Sequence, residues 1–414
     1  MTITERILAS VDERRLVKTV IETVNVSSPT GDEWAMGQLM EGVLTDAGLE
    51  VVVQEVEEGR ANVLGTLAGS GQGKTLMFNG HMDTSYSGRE PWLAGIPGFQ
   101  PAGFEEDGHI FGLGVANMKG ALCCYVEALR ALRDADVKLE GDVLIAAVAG
   151  EIEKTEWGDQ YRGRQYRGYS TGSRHLVTHG GVADVCILGE PTSHKIVLAH
   201  YGSLWLRIST KGPFIHTAFT VGREHENSII RMHDVMQAVL EWIPGWQKEM
   251  SQDGLEGIVN IGALNGGMPW RASRTPHRTD LFLDVRIPPR IPMAEARRRL
   301  LSFARGLDNR FPEFGIEAEV YLTAPGAEIA ADDPLVAAVA SSHETVFGAA
   351  PERDVVHWFS DASALTRYGI TTVNYGTASG LPNAVKGENV DIKGLMNATK
   401  VYALAAAEIC GVAS

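Results

Sequence analysis

Side chains that can bind a metal ion or move a proton stand directly after three apolar runs of the chain. They are His81 and Asp83 after "TLMFNG", Glu151 and Glu153 after "LIAAVAG", and Glu190 after "VCILG". Imidazole nitrogen and carboxylate oxygen are common protein ligands of zinc and related divalent ions. A carboxyl group at a dry strand end can also have a raised pKa and act as a general base. These residue types therefore predict a site for metal binding and proton transfer.

Each of these motifs on its own also has a structural interpretation. His81 could be a core histidine whose tautomer is fixed by Asp83. The Glu-Ile-Glu stretch at 151–153 is typical of a solvated edge, and "GEPT" at 189–192 is typical of a turn. The catalytic interpretation depends on their common position, because all of these motifs stand at the same end of a predicted strand.

Buried strands that alternate with helices would bring the motifs together. The stretch "MKGALCCYVEALRALRDA" repeats Leu122, Val126, Leu129 and Leu132 at helical spacing, which predicts packing on one face of a sheet. This predicted helix lies between apolar runs that are predicted as strands. The alternation of strands and helix indicates an α/β fold with a mainly parallel sheet. Sites form at the carboxyl ends of such strands, so the motifs should converge there. Asn117, in the turn "GLGVANMKGA", should reach the same edge.

The sequence pattern changes near residue 200. Alternating stretches such as "SLWLRISTKG" and "RTDLFLDVRIPP" flank the helical "SIIRMHDVMQAVLEWI", which predicts a second, antiparallel α+β unit. The α/β pattern returns near residue 325, where "DPLVAAVASSHETVFG" is predicted as a helix and "TTVNYG" as a strand. The first domain is therefore predicted to be split by an insertion.

Composition argues against several classes of protein. The 414 residues carry a net charge of −15 and include no basic arm, so nucleic acid is not an expected partner. The charged start of the chain lacks the apolar core of a signal peptide, and no run of about eighteen uncharged apolar residues occurs. We therefore expect a cytoplasmic protein that does not bind a membrane. None of the 4 cysteines has C-x-x-C spacing, which argues against a cysteine metal site.

Six motifs occur in the order of a known family. They are "NGHMDT", "GLGVANMKGA", "VAGEIE", "ILGEPTS", "KGPFIHTAF" and "LPNAVKGENV". Over nearly the whole chain they resemble the metallopeptidase family of acetylornithine deacetylase, succinyl-diaminopimelate desuccinylase, aminoacylase and carboxypeptidase G. The resemblance implies a catalytic domain at 1–199 and 323–414, with a lid or dimerisation domain inserted at 200–322. It also implies a homodimer or higher oligomer and one or two divalent ions, such as zinc, manganese or cobalt.

The resemblance further implies roles for residues of the catalytic domain. His81 and Glu190 match ligands of the same metal ion, and Asp83 matches the carboxylate that orients the histidine. Glu151 matches the general base. The chain is thus expected to use metal-activated water.

In the inserted domain the resemblance concerns the substrate. His216 resembles the histidine that, in dimeric members, reaches a neighbour's site and stabilises the oxyanion. Arg286 resembles the arginine that holds a substrate carboxylate. Arg271, in "GGMPWRAS", lies in an altered stretch that contacts substrate in most members. The expected partner is a small-molecule carboxylate.

Three departures from the family pattern all concern one metal ion. Asn117 stands where the family has an aspartate that bridges two metals, and Ile152 where it has a second metal-binding glutamate. Val385 stands where many members have a histidine. Because a neutral amide oxygen can at best serve one cation, we expect one divalent ion per subunit.

The remaining ligands of that single ion would be His81, Asn117 and Glu190. One alternative stays open at the end of the strand before Glu151. If that end is extended, residues two apart share a face, and Glu153 rather than Glu151 would approach the metal.

Three functions are compatible with this sequence. The first is a metal-dependent hydrolase that cleaves the C–N bond of a small carboxylate, such as the amide of an N-acyl amino acid. The second is an aminohydrolase of an aromatic amine such as 5-nitroanthranilate, favoured by the departures at the metal and by the Arg- and Tyr-rich loop "WGDQYRGRQYRGY" at 157–169. The third is a non-catalytic binding protein derived from the family.

Overall fold

The computed structural model describes residues 1–155, 167–377, 380–383 and 386–413. The chain divides into two compact units. Unit 1 comprises Met1–Leu198, Ile329–Val355 and Ser360–Ser414, and unit 2 comprises Ala199–Glu328 with Val356–Phe359. Val385 and most of the loop at 157–169 lie outside the described residues.

The described helices are numbered in chain order. They are α1 (Ile3–Ser10), α2 (Glu13–Val24), α3 (Trp34–Asp46), α4 (Gly120–Asp134), α5 (Thr171–Thr178), α6 (Ser228–Glu249), α7 (Met293–Arg310), α8 (Pro334–Phe347), α9 (Ala362–Arg367) and α10 (Ile392–Cys410). None of them is long and apolar enough to cross a membrane.

The described strands are numbered in the same way. They are β1 (Glu50–Glu57), β2 (Arg60–Leu67), β3 (Leu76–His81), β4 (Phe104–Glu106), β5 (His109–Phe111), β6 (Val143–Val148), β7 (Val185–Leu188), β8 (Ile196–His200), β9 (Gly202–Lys211), β10 (Ile258–Gly266), β11 (Arg278–Ile287), β12 (Glu317–Ala324), β13 (Ala327–Glu328), β14 (Arg353–Val356), β15 (Thr371–Asn374), β16 (Gly380–Asn383) and β17 (Gly387–Asp391).

The main sheet of unit 1 has the strand order β1-β2-β6-β3-β7-β15-β8. Its central strands β6, β3, β7 and β15 run parallel, whereas β1, β2 and β8 pair antiparallel at the edges. The predicted α/β class with a mainly parallel central sheet is confirmed. The antiparallel edges are a further finding, since a buried apolar run does not reveal the direction of its strand.

The core of unit 1 lies between this sheet and its helices. Every residue of β3, β6 and β7 is buried, and α4 is buried along most of its length. Phe78 of β3 stacks on Tyr125 of α4 with ring centroids 4.7 Å apart, and Tyr402 of α10 packs against both rings. This packing holds the strand ends in fixed positions.

Unit 2 is an antiparallel sheet with two helices. Its strand order is β10-β11-β9-β12. Along β11 buried and half-buried residues alternate, because every second side chain faces the helices α6 and α7. The antiparallel unit predicted after residue 200 therefore corresponds to these elements, and its role as a lid or dimerisation domain stays a prediction.

A small third sheet belongs to unit 1. Its strand order is β16-β17-β5-β4, and all its pairs are antiparallel. It presents the first residues of β17 to the turn that precedes α4, which contains Asn117.

Candidate metal centre

Three side chains of the ligand type meet where central parallel strands end. His81 is the last residue of β3 and stands beside Val148, the last residue of β6. Glu151 follows β6 and Glu190 follows β7. One ligand atom of each of these three residues lies within 4.8 Å of the other two, and all three are buried. We call His81, Glu151 and Glu190 the His–Glu–Glu group.

The imidazole of His81 points into this group. Its Nε2 lies 3.8 Å from Oε2 of Glu151 and 3.9 Å from Oε1 of Glu190. Among the described residues, Oε1 of Glu151 and Oε1 of Glu190 have no hydrogen-bond partner, although buried polar atoms normally have one. An imidazole nitrogen with unpaired carboxylate oxygens is a donor set that fits zinc, manganese or a similar divalent ion.

Asp83 connects His81 to the backbone at Glu151. Nδ1 of His81 lies 2.9 Å from the backbone oxygen of Asp83 and 3.5 Å from its Oδ1. The Asp83 carboxylate accepts the backbone N–H of Glu151 at 3.0 Å, the backbone N–H of Ile152 at 3.1 Å and the hydroxyl of Thr30 at 2.8 Å. Burial opposes its charge, but the bonds and charge of His81 and the N–H of Glu151 lower the pKa of Asp83 to about 2. One carboxylate therefore fixes the positions of both functional residues.

Asn117 reaches the same place from an irregular turn. Residues Val115–Lys119 form a kinked turn before α4 whose backbone is not helical at Asn117 and Met118, and Gly114 precedes it at a φ of 83°, which favours glycine. The side chain of Asn117 places Oδ1 at 3.0 Å from Nε2 of His81. Its amide oxygen thus lies beside the nitrogen that would bind a metal.

Burial raises the pKa of both glutamates in the His–Glu–Glu group. The pKa of Glu151 lies well above its ordinary value because of burial and the charge of Glu190, against the effect of His81. Burial also raises the pKa of Glu190 to about 7, again opposed by His81. For His81 itself burial lowers the pKa, but Asp83 and the two glutamates hold it well above the usual value. A divalent cation would satisfy these groups in place of protons.

The backbone turn before Glu151 determines the positions of Ile152 and Glu153. β6 ends at Val148, and Gly150 has a φ of 67°, so the strand does not continue to Glu153. Glu153 is half-buried and is not part of the His–Glu–Glu group, although its charge contributes to the raised pKa of Glu190. The alkyl side chain of Ile152 offers no ligand atom.

The three residues that are predicted to contact the substrate all lie in unit 2. Arg286, on β11, donates to the carboxylate of Asp284 at 2.7 and 2.9 Å. His216 precedes a short helical turn, and its Nδ1 accepts the backbone N–H of Ala218 at 3.2 Å. Arg271 ends another short turn and is exposed. Their roles toward substrate stay predictions.

Sequence reasoning missed Asp361, a buried carboxylate near the group. It is 1% exposed, and its Oδ2 accepts the hydroxyl of Ser173 at 2.8 Å. Ser173 in turn accepts the side-chain N–H of Asn79 on β3 at 3.1 Å. The charge of Asp361 raises the pKa of both Glu151 and Glu190. Its stretch "FSDAS" carried no spacing that links it to His81, so only the fold shows the relationship.

A model of peptidase family M20/M25/M40 matches residues 77–408. The chain belongs to this family. The predicted resemblance is confirmed, and the chain is a hydrolase of a family whose metallopeptidases use divalent metal.

Named relatives agree with membership of the M20/M25/M40 family. Acetylornithine deacetylase of Aliivibrio fischeri is 27% identical over 335 residues, which cover 78% of this chain and 80% of the relative. A probable succinyl-diaminopimelate desuccinylase of Staphylococcus epidermidis is 26% identical over 302 residues, or 67% of this chain and 69% of the relative. An M20 family metallo-carboxypeptidase of Sulfolobus solfataricus has the same fold, with a TM-score of 0.67 at 16% identity over 94% of this chain and 98% of that one.

Proposed function

We propose that this member of the M20/M25/M40 family is a divalent-metal-dependent hydrolase of the C–N bond in a small carboxylate, foremost the amide bond of an N-acyl amino acid. The buried His–Glu–Glu group with the amide oxygen of Asn117 beside it is the observation that carries the proposal. The names of the relatives, a deacetylase and a desuccinylase, support the substrate class.

The residues divide into those that hold the metal and one that moves a proton. His81, Glu190 and Asn117 would hold the ion, which when bound supplies Lewis-acid polarisation of the scissile carbonyl. Glu151 would take a proton from the attacking water and pass it to the leaving nitrogen. The burial that raises the pKa of Glu151 suits this double role, because a base must also be able to give the proton back.

Asp83 would support both metal binding by His81 and proton transfer by Glu151. Its carboxylate accepts the backbone N–H of Glu151 and faces Nδ1 of His81. It would therefore keep the imidazole turned with Nε2 toward the metal and keep the base within reach of the water.

We propose one divalent ion per subunit. The alkyl side chain of Ile152 and the neutral amide of Asn117 replace two of the charged ligands that a second ion would need. Manganese, cobalt and zinc all accept this mixture of nitrogen and oxygen donors.

On the substrate side, we propose that Arg286 binds the carboxylate and that Arg271 and His216 contact the substrate or the developing oxyanion. The carboxylate of Asp284 accepts hydrogen bonds from both Nε and Nη2 of Arg286, which fixes the orientation of the guanidinium.

We also propose a homodimer formed through unit 2. Ile229 and Leu240 lie eleven positions apart on the same face of α6 and are 43% and 50% exposed. α6 packs against β10, which is an edge strand and carries Leu264 at 54% exposure. Exposed apolar side chains beside a strand that ends the sheet in the described part of the chain suit a second copy related by a two-fold axis.

The function is tested by assaying the Mn²⁺- or Zn²⁺-loaded protein on a panel of N-acetyl and N-succinyl amino acids. We expect equal amounts of free carboxylic acid and free amine, and no turnover by Glu151→Gln. Loaded protein that hydrolyses no member of the panel would contradict the proposal.

A second function, hydrolysis of an aromatic amine such as 5-nitroanthranilate, is favoured by Asn117. A neutral ligand leaves more positive charge on the ion, which suits activation of water against a poor electrophile. Release of ammonia without a carboxylic acid would identify this reaction.

A further inference from the structure

The carboxylate of Glu388 accepts three backbone N–H groups of the turn that carries Asn117. Its Oε2 accepts the N–H of Gly114 at 2.8 Å. Its Oε1 accepts the N–H of Ala116 at 2.9 Å and of Asn117 itself at 3.0 Å. Glu388 lies on β17, more than 270 residues along the chain from this turn.

The turn needs an external acceptor because its backbone is irregular. Asn117 has a φ of −127° and a ψ of 94°, which are not helical values. N–H groups at the start of a helix have no partner within the helix. A carboxylate that accepts several of them at once satisfies these donors and fixes the course of the turn.

A buried cation accompanies the carboxylate. Lys119 is 1% exposed, and its Nζ donates to the backbone oxygens of Thr23 at 3.2 Å and Val26 at 2.6 Å. These bonds tie the far end of the turn to the end of α2. The turn is thus held by Glu388 at Gly114, Ala116 and Asn117 and by the side chain of Lys119 two residues later in the chain.

We propose that Glu388 is a positioning residue of the metal centre, which holds the Asn117 backbone so that Oδ1 faces the metal beside Nε2 of His81. This inference rests on the proposed role of Asn117 as a ligand. Both oxygens of Glu388 are engaged by backbone N–H groups, so it acts through Asn117 and does not bind the ion itself.

A double-mutant cycle on metal affinity tests the inference. The Kd of Mn²⁺ is measured by calorimetry for wild type, Glu388→Gln, Asn117→Ala and the double variant. The amide of Glu388→Gln keeps one acceptor oxygen but turns an NH₂ group toward backbone donors. We expect a loss of affinity of roughly 10- to 100-fold, the range for residues that orient metal ligands. In the Asn117→Ala background, Glu388→Gln should cause little further loss.

Two controls separate positioning from general stability. Asp391, on the same strand, accepts the N–H of Gly394 at 2.6 Å and caps α10, so Asp391→Ala removes a carboxylate–backbone bond away from the turn. We expect it to lower the melting temperature without changing the Kd of Mn²⁺. Glu388→Asp keeps the charge with a shorter reach and should recover part of the affinity that Glu388→Gln loses.

Three results would overturn the inference. They are wild-type affinity in Glu388→Gln, an equal loss in both backgrounds, and unchanged affinity in Asn117→Ala. Turnover is measured separately. If the cycle behaves as expected while wild type hydrolyses no substrate, the proposed function fails and the positioning role of Glu388 stands.

Discussion

The amide oxygen of Asn117 lies 3.0 Å from Nε2 of His81, while Nδ1 of the same ring lies 2.9 Å from the backbone oxygen of Asp83. Both ring nitrogens thus face oxygen acceptors. A metal ion that binds Nε2 must take the place of a proton there, so metal binding should release protons. The same geometry would bring the amide oxygen of Asn117 close to an ion bound at Nε2 without adding a negative charge.

Replacing Asn117 with aspartate should therefore tighten metal binding. The added anion attracts the cation at contact distance, and we expect the affinity for Mn²⁺ to rise by about tenfold or more. Turnover should fall or stay level, since a further anion makes the ion a weaker Lewis acid. Calorimetric titration of wild type and Asn117→Asp, with turnover measured in parallel, checks both expectations. Equal affinity in the two proteins would mean that Asn117 is not a ligand.

Metal stoichiometry gives an independent prediction. Ile152 offers no ligand atom and Asn117 no charge, so we expect one tightly bound divalent ion per chain. The protein is saturated with Zn²⁺ or Mn²⁺, passed through gel filtration and examined by elemental analysis. Two tightly bound ions per chain would contradict the mononuclear centre, and Asn117→Asp should also retain one.

The sequence predicts the meeting of His81, Glu151 and Glu190 because each follows a buried apolar run, and parallel strands bring their carboxyl ends to one edge. It does not decide between Glu151 and Glu153. That choice depends on the turn at Gly150, where the positive φ ends the alternation of side chains. Local sequence patterns indicate strands and helices, but they do not give the direction of the chain after a strand or helix ends.

Contacts between distant parts of the chain are not predictable in the same way. Asp361, which precedes α9, is bonded to Ser173 of α5, and Glu388 reaches the turn because β17 pairs with β5. Both α5 and β5 come far earlier in the sequence than their partners. Their own neighbours in sequence show no ligand spacing. The fold is therefore needed to find the carboxylates that support the site.

Buried His200 should make the protein sensitive to acid. Its side chain is 0% exposed, and Nδ1 lies 2.9 Å from the backbone oxygen of Tyr201. Burial lowers the pKa of His200 to about 4 from 6.5, so the unfolded chain binds the proton more readily than the folded one. Stability should be unaffected above pH 6.5 and should be lost as the pH falls toward 4, by up to about 3 kcal/mol.

Replacing His200 with glutamine makes this loss of stability measurable as a difference from wild type. The glutamine side chain of the His200→Gln variant cannot be protonated in this range. Its free energy of unfolding should therefore rise relative to that of wild type as the pH falls from 6.5 to 4.5. The exposed His179 of unit 1, replaced in the same way, should show no such gain. Urea unfolding at several pH values provides the comparison, and parallel curves for wild type and His200→Gln would contradict the expectation.

A charge on the outer face of α6 should dissociate the proposed dimer. Leu240→Glu places a carboxylate at an exposed apolar position of α6, which opposes burial of this position against a second copy. We expect light scattering after gel filtration to report a dimer for wild type and a monomer for the variant. Tyr368→Glu, at an equally exposed apolar position of unit 1, serves as the control and should stay dimeric. A monomeric wild type would refute the proposed assembly.

Replacing Glu151 with glutamine should abolish turnover and spare substrate binding. The amide keeps the shape of the side chain but cannot take a proton from water, so kcat should fall by more than about 10²-fold, the low end for general-base catalysis. Glu153→Gln, which changes a carboxylate two positions away and outside the His–Glu–Glu group, is the matched control and should keep most of the activity. Steady-state kinetics at saturating Mn²⁺, with metal content checked in each variant, separates loss of the base from loss of the ion. If Glu153→Gln is inactive while Glu151→Gln still turns over, the base is Glu153.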